Sequence, residues 1–318
     1  DFQGSRGLGD VYKRQDDKGF NATAWKGVQD AVAKHGIGSK LLESKAETDY
    51  VPNLNSFVAE GCDVIVSVGF LMGEATANTA KENPNSKFAI VDFAYDPTIS
   101  NVLGLIYNTD EAAFLAGYLA AGVSKTGIVG TFGGINIPPV TIFMDGFAAG
   151  VNHYNKTKGT NVAVLGWDPV AKEGLFTNNF SSLDDGRAFA QNLYDEGADI
   201  VMPVAGPVGL GSAALASELG TDSLKIIGVD VDQYVLDTKN SSVYLTTVEK
   251  GMDATVLGAI EAAKNGSFAG GVYVGTLANN GVRIAPYHDQ ASAVSNGLNN
   301  EIQKLKSSII NGFLSVKN

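Results

Sequence analysis

Short apolar, β-branched runs alternate with helix-length amphipathic segments along nearly the whole chain, and that alternation leaves few folds open. The strand candidates are Val64–Val68, Phe88–Asp92, Val102–Tyr107, Gly127–Phe132, Val162–Gly166, Ile200–Val204, Lys225–Val229, Val243–Val248 and Val272–Val274. Between them lie helical stretches at Phe20–His35, Val51–Glu60, Gly73–Glu82, Asp110–Val123, Ile142–Tyr154, Asp184–Glu196, Ser212–Leu219 and Lys250–Lys264, with a last one over residues 289–314. In the first of these, Ala24, Val28, Ala31 and Val32 share a face and Gly36 offers a stop. Several strand runs are apolar at consecutive positions, as strands covered on both faces by helices require. Right-handed βαβ crossovers and doubly wound parallel sheets follow. With 318 residues, the chain suits two lobes of roughly 150 residues each better than one domain.

Residues 1–15, DFQGSRGLGDVYKRQ, are the exception. A doubly wound lobe wants a strand before its first helix, yet no strand-like apolar run is visible there. The segment either pairs weakly or is not native sequence, as a vector or a mis-assembled reading frame would leave, and the second reading is preferred.

Charge and composition exclude whole classes of function. Asp plus Glu is 34 against 23 Lys plus Arg, a net charge of −11, which a phosphate backbone would repel, so no nucleic-acid partner is expected. The single cysteine, Cys62, sits in an apolar run and permits no internal disulfide. His35, His153 and His288 are scattered without metal-ligand spacing, so no metal and no cofactor is expected. No apolar run approaches the roughly 18 residues that span a bilayer, and no leader peptide is visible. G-x-S-x-G, H-E-x-x-H and the phosphate-loop sequence are all missing, so the chain is not read as an enzyme.

In open parallel sheets ligands bind at the carboxyl ends of the strands, and here those ends are rich in Gly, Asp and aromatic residues. Asp16-Asp17-Lys18-Gly19-Phe20-Asn21 precedes the first helix, where free backbone N–H groups gather. It can be an acidic cap or a ligand site in which Phe20 offers a flat face and Asn21 a donor and an acceptor. Phe70 follows one strand and Asp92 ends another; Asp92 either caps the next turn or accepts ligand N–H groups. Phe132-Gly133-Gly134 leads through two prolines into a helix, and the glycines allow close backbone approach. Met202 to Gly211 follows a strand with glycines in the order G-x-x-G-x-G, which disfavours a dinucleotide loop and leaves Gly206 beside a helix start. Asp230 and Asp232, with Lys250 further on, suit a hydroxyl-rich ligand, or else a solvated turn and a surface lysine.

Taken in order, DDKGFN (16–21), GFLM (69–72), FAIVD (88–92), YNTDEAAFLAGYLA (107–120), FGGINIPPV (132–140), MDGFAAGV (144–151), GADIVMPVAGPVGLG (197–211) and IGVDVDQ (227–233) resemble the basic membrane protein family. These are substrate-binding lipoproteins of ABC transporters, and they include purine nucleoside receptors. The resemblance implies a type I periplasmic-binding-protein fold: two doubly wound parallel-sheet lobes joined by three crossovers, with a ligand cleft between them. The lobes would be residues 16–107 plus 248–275 and residues 108–247 plus 276–318, with 1–15 outside the family pattern. Carried over, Phe20 would stack on a purine, Asn21 would contact the nucleoside, Asp92 would bind the base and Gly206 would line the cleft. Asp230 or Asp232, with Lys250, would hold the ribose. Two departures stand out. The family's Thr-Asp and Gly-Gly stretch before DD is not matched in residues 1–15, and Met202 stands near where nucleoside receptors often carry an aromatic.

The resemblance further implies a monomer that closes on its ligand by a hinge, is recognised by a permease in the closed state, and works outside the cytoplasm, held to the membrane only by a lipid anchor. Two rivals are a ligand-sensing regulator of the same fold, for which residues 1–15 are too short to supply a DNA-binding domain, and a nucleoside hydrolase using Asp16, Asp17 or Asp230.

Overall fold

The computed structural model describes residues 8–12 and 19–317. In chain order its elements begin with β1 (Leu8–Tyr12), α1 (Phe20–His35), β2 (Ser39–Glu43), α2 (Tyr50–Glu60), β3 (Ile65–Val68), α3 (Gly73–Glu82), β4 (Phe88–Val91) and β5 (Val102–Tyr107). Next come α4 (Thr109–Val123), β6 (Ile128–Gly133), α5 (Pro138–Lys158), β7 (Ala163–Leu165), β8 (Trp167–Asp168), β9 (Glu173–Gly174) and α6 (Leu183–Asp195). These lead to β10 (Ile200–Val204), α7 (Gly209–Leu219), β11 (Lys225–Asp230), α8 (Gln233–Leu236) and β12 (Tyr244–Lys250). The last are α9 (Met252–Lys264), β13 (Gly271–Gly275), β14 (Val282–Ile284) and α10 (Asn296–Ile310). Two compact units share them: residues up to Tyr107 with Gly251–Gly275, and Asn108–Lys250 with Thr276 onward. The chain therefore crosses between units three times.

In the first unit the strands run β2-β1-β3-β4-β5-β13, all parallel. In the second they run β7-β6-β10-β11-β12-β14, parallel except for β14, which is antiparallel to β12. β8 and β9 form a separate antiparallel pair. Every residue of β3, β4, β10, β11 and β12 is buried, the state that consecutive apolar runs announce. Their few polar side chains are satisfied internally: Thr76 donates to Ser67 at 2.7 Å and Thr246 to the Ala285 carbonyl at 2.7 Å. Leu54, Phe57, Ile65, Phe88 and Ile90 build the first unit's core, and Leu193, Val201, Leu215 and Ile226 belong to that of the second.

In the second unit, α4 and α5 meet backbone to backbone. A Cβ on Gly146 or Gly150 of α5 would overlap the carbonyl oxygens of Asp110 or Phe114 in α4, and one on Gly117 of α4 would overlap that of Phe147. The predicted FLAGYLA and MDGFAAGV segments thus owe their glycines to this contact.

Several expectations need correction. Residues 1–15 do contain a strand: β1 lies between β2 and β3, although Gly9 and Asp10 dilute its apolar signal. β2, half exposed at the sheet edge, and the very short β8, β9 and β14 are too brief or too polar for periodicity to reveal. Lys250 ends a strand rather than starting a helix, because β12 stays paired to β14 through Lys250 opposite Val282. The division between units accordingly falls after Lys250 and not before Val248. Helix α5 begins at Pro138, not Ile142, with proline in its first turn.

Candidate functional site

Each sheet reverses its winding direction once, and the crevice at such a switch point lies outside the strand carboxyl ends. In the first unit the switch falls between β1 and β3. Asp16 and Asp17 lie outside the described residues. Phe20 and Asn21, both half-buried, open α1. The Phe20 ring lies beside Gly69 at the end of β3, where a Cβ would stand 3.7 Å from it. The Gly69 amide in turn donates to the Val91 carbonyl at 3.1 Å, one residue before Asp92. The structure thus brings Phe20, Asn21, Phe70 and Asp92 to one rim. Asp92 adopts φ 63°, unusual for a residue with a side chain, while its own amide donates to Leu105 at 2.8 Å. Phe70 packs on Phe93 with centroids 5.0 Å apart, and Phe93 on Tyr95 at 4.9 Å. The Tyr95 hydroxyl donates to the Gly73 carbonyl at 2.7 Å, and burial pushes its pKa upward. This aromatic row stiffens the rim around Phe70.

In the second unit the switch falls between β6 and β10, and the Gly134 amide ties the two strand ends together by donating to Val204 at 2.9 Å. Gly206 follows with φ 54° and open space where a side chain would stand. Asp230 ends β11 at φ 73°, with Lys250 Nζ 3.6 Å from its carboxylate. That lysine is buried, and its ammonium sits 5.1 Å from the centroid of the Phe143 ring, a cation–π contact that helps hold the charge out of water. Asp230 and Lys250 thus form a buried, oppositely charged pair at the rim.

Asp232 is committed differently. Its carboxylate accepts the Tyr234 amide at 3.2 Å as the cap of α8 and lies 2.7 Å from His288 Nε2. The His288 ring stacks on Tyr234 at 4.0 Å. Of the two aspartates read as alternatives for the ribose, Asp230 is the one beside Lys250. Two further expectations fail outright. Phe132 and Met202 are both 0 % exposed: Phe132 packs on Phe189 at 5.4 Å, and Met202 sits within β10, its carbonyl accepting the Thr131 hydroxyl at 2.8 Å. Both lie inside strands that are covered on both faces, and nearness to a strand end in sequence does not uncover a side chain there.

The aromatics on the second rim come from elsewhere. The segment after β9 carries Phe176 and Phe180, and a Cβ on Gly133 or Gly134 would meet their rings. Both phenylalanines are half-buried. The visible signal was FTNNFSS (176–182), with Asn and Ser ahead of a helix whose cap is Ser182, but nothing local ties it to a glycine pair far earlier in the chain. Among the described residues, no three His, Cys, Asp or Glu side chains gather as a metal site.

A sequence model of the Bmp family, described as ABC transporter substrate-binding protein PnrA-like, matches residues 13–318. Basic membrane protein A of Borreliella burgdorferi is 33 % identical over 300 residues, covering 93 % of this chain and 83 % of that protein. The ABC transporter nucleoside-binding protein BmpA of Lactococcus lactis is 31 % identical over 316 residues, covering 94 % and 85 %. Among solved structures, an ABC transporter solute-binding protein from Aeropyrum pernix aligns with a TM-score of 0.87 at 23 % identity, covering 97 % of this chain and 92 % of that one; it shares the type I periplasmic-binding-protein fold.

Proposed function

This chain belongs to the Bmp family of PnrA-like ABC transporter substrate-binding proteins, and from that premise we propose that the small molecule it binds is a purine nucleoside. Proteins of this kind work outside the cytoplasm and deliver their ligand to a membrane permease, so a small molecule and a permease are its partners. Among the described residues no helix is long and apolar enough to cross a membrane; a lipid anchor is the attachment we propose. No bond of the ligand is made or broken in this reading, and incubation with inosine should release no free base.

The observation that carries the proposal is the first unit's rim, where the Phe20 ring lies against Gly69, whose amide bonds to the carbonyl of Val91, the residue before Asp92. A flat ring matches a base, and a carboxylate accepts the N–H groups at a purine edge. Asn21 adds both a donor and an acceptor. The second unit's rim, taken by itself, carries groups of matching chemistry: Phe180 an aromatic face, Gly206 an open backbone, and the Asp230–Lys250 pair charges suited to sugar hydroxyls. The name of the Lactococcus lactis relative, a nucleoside-binding protein, points the same way. Stacking contributes about 1–3 kcal/mol per base and a hydrogen bond to a charged group about 1.5–3 kcal/mol.

Titration calorimetry with guanosine, adenosine, inosine, cytidine and ribose tests the reading. The purine nucleosides should bind and ribose should not. Phe20→Ala should weaken purine binding about 5- to 150-fold, the equivalent of the stacking energy, and Asp92→Asn by a similar factor. Absence of heat with every nucleoside would refute the ligand class while leaving the family assignment intact.

A further inference from the structure

The segment Leu175–Ser182 joins β9 to α6 without regular structure of its own, yet it is tied down by a set of hydrogen bonds to β6 and within itself. The Gly133 amide donates to the Leu175 carbonyl at 2.9 Å and the Thr177 amide returns a bond to the Gly133 carbonyl at 3.0 Å, so the segment continues the sheet beyond the end of β6. Asn179 is its hub. The carboxamide nitrogen donates to the Thr177 carbonyl at 2.9 Å and to Asp185 at 2.8 Å. Its oxygen accepts the amides of Ser181 at 3.0 Å and Ser182 at 2.8 Å. Both donors and both acceptor sites of the side chain are therefore used. The buried Thr177 hydroxyl donates to the Asn179 carbonyl at 3.0 Å, closing the turn on itself.

Phe180 is the residue in the middle of this arrangement, with its backbone fixed on both sides. Its ring lies against the Cα of Gly134, close enough that any Cβ there would overlap it, and the Asn179 carbonyl would stand 2.9 Å from the same Cβ. Gly134 has no positive φ, so backbone conformation does not demand a glycine; the ring does.

We propose that Gly134 and Asn179 are positioning residues that hold the Phe180 ring in one orientation, ready to stack on the ligand's base. The inference rests on the reading of Phe180 as a ligand contact. Pre-organisation raises affinity by removing the entropy that a free side chain would lose on binding. The cradle acts at one aromatic side chain, so its effect on affinity is expected to be about 3- to 10-fold.

Two measurements on the full chain test this. Relaxation of the Phe180 ring carbons by NMR, without ligand, reads the cradle independently of any nucleoside. The ring should be ordered in the parent protein and mobile in Asn179→Ala, and it should be displaced in Gly134→Ala. A ring as ordered and as placed in both variants as in the parent overturns the proposal, even if no nucleoside binds. Calorimetry with inosine reads the consequence: each variant should bind about 3- to 10-fold more weakly, while neither should cost anything further in a Phe180→Ala background. Losses that persist when Phe180 is already gone would mean a merely structural role. A Phe180→Ala variant with parental affinity also overturns the proposal, while binding that still depends on Phe20 would leave the nucleoside reading standing. Gly134→Ala can misfold through overlap, and Asn179→Ala, which only deletes atoms, keeps the test decisive.

Discussion

Gly150→Ala puts one methyl group into the contact between α4 and α5. In an open helix interior the same change stabilises by about 0.5–1 kcal/mol, because glycine loses more backbone entropy on folding than alanine. Here the new Cβ would overlap the Phe114 carbonyl oxygen and stand 2.8 Å from the Tyr118 amide nitrogen. Both obstacles are main-chain atoms of a buried helix, so no side-chain rotation relieves them and the helices must separate. Overpacking of this kind costs about 1–3 kcal/mol, which outweighs the entropic gain and leaves a net loss of about 1–2 kcal/mol. Gly258 provides the contrasting case: it lies exposed within α9, with open space where a Cβ would stand, so Gly258→Ala should stabilise by about 0.5–1 kcal/mol. The protein has two tryptophans, Trp25 in the first unit and Trp167 in the second. Urea unfolding can therefore be followed by fluorescence in Trp25→Phe and Trp167→Phe backgrounds, one unit at a time. The midpoint should fall for Gly150→Ala in the second unit and rise for Gly258→Ala in the first, with similar slopes in urea. A Gly150→Ala protein as stable as its parent would refute the claim that these helices touch at their backbones.

Burial raises the Asp110 carboxyl pKa above the ordinary value, with Lys317 partly opposing it. The folded state then holds this proton more tightly than the unfolded chain, so the contribution is fully present below the unfolded pKa of about 3.9 and is lost as pH rises through the folded value. Asp110→Asn should therefore raise the second unit's urea midpoint at pH 7, with the gain shrinking towards pH 3; equal midpoints at pH 7 would contradict it. The Gln233 side-chain oxygen is buried with no hydrogen-bond partner, so Gln233→Met should raise stability by about 1 kcal/mol, read from the same unfolding curves, and a loss would show that the carboxamide is needed. The Cys62 thiol is buried and pushed up to about 11, chiefly by desolvation. Iodoacetamide at pH 8 should label it slowly in the native protein and rapidly in urea, and fast native labelling would argue against its burial.

The α/β class, the two-sheet architecture and most helices could be read from the sequence because a doubly covered strand must be apolar at successive positions and an amphipathic helix must repeat near every third or fourth residue. That the candidate residues Phe70, Asp92, Gly206 and Asp230 stand at strand ends could be read for a related reason: strand carboxyl ends are where an open sheet can leave polar residues uncovered. β1 escaped because Gly9 and Asp10 interrupt its short LGDVY run, so no consecutive apolar stretch marks it. Phe132 and Met202 were misread because a strand covered on both faces buries its side chains nearly to its end, and where that cover stops belongs to the packed sheet. The neighbour of Gly134 is Phe180, more than forty residues later in the chain; Asp232 turned out to be taken by His288, still farther from it. Periodicity and strand ends are local properties of a chain, so sequence alone determined them. Which aromatic meets which glycine, and which carboxylate is already engaged, are long-range pairings that exist only once the chain has packed.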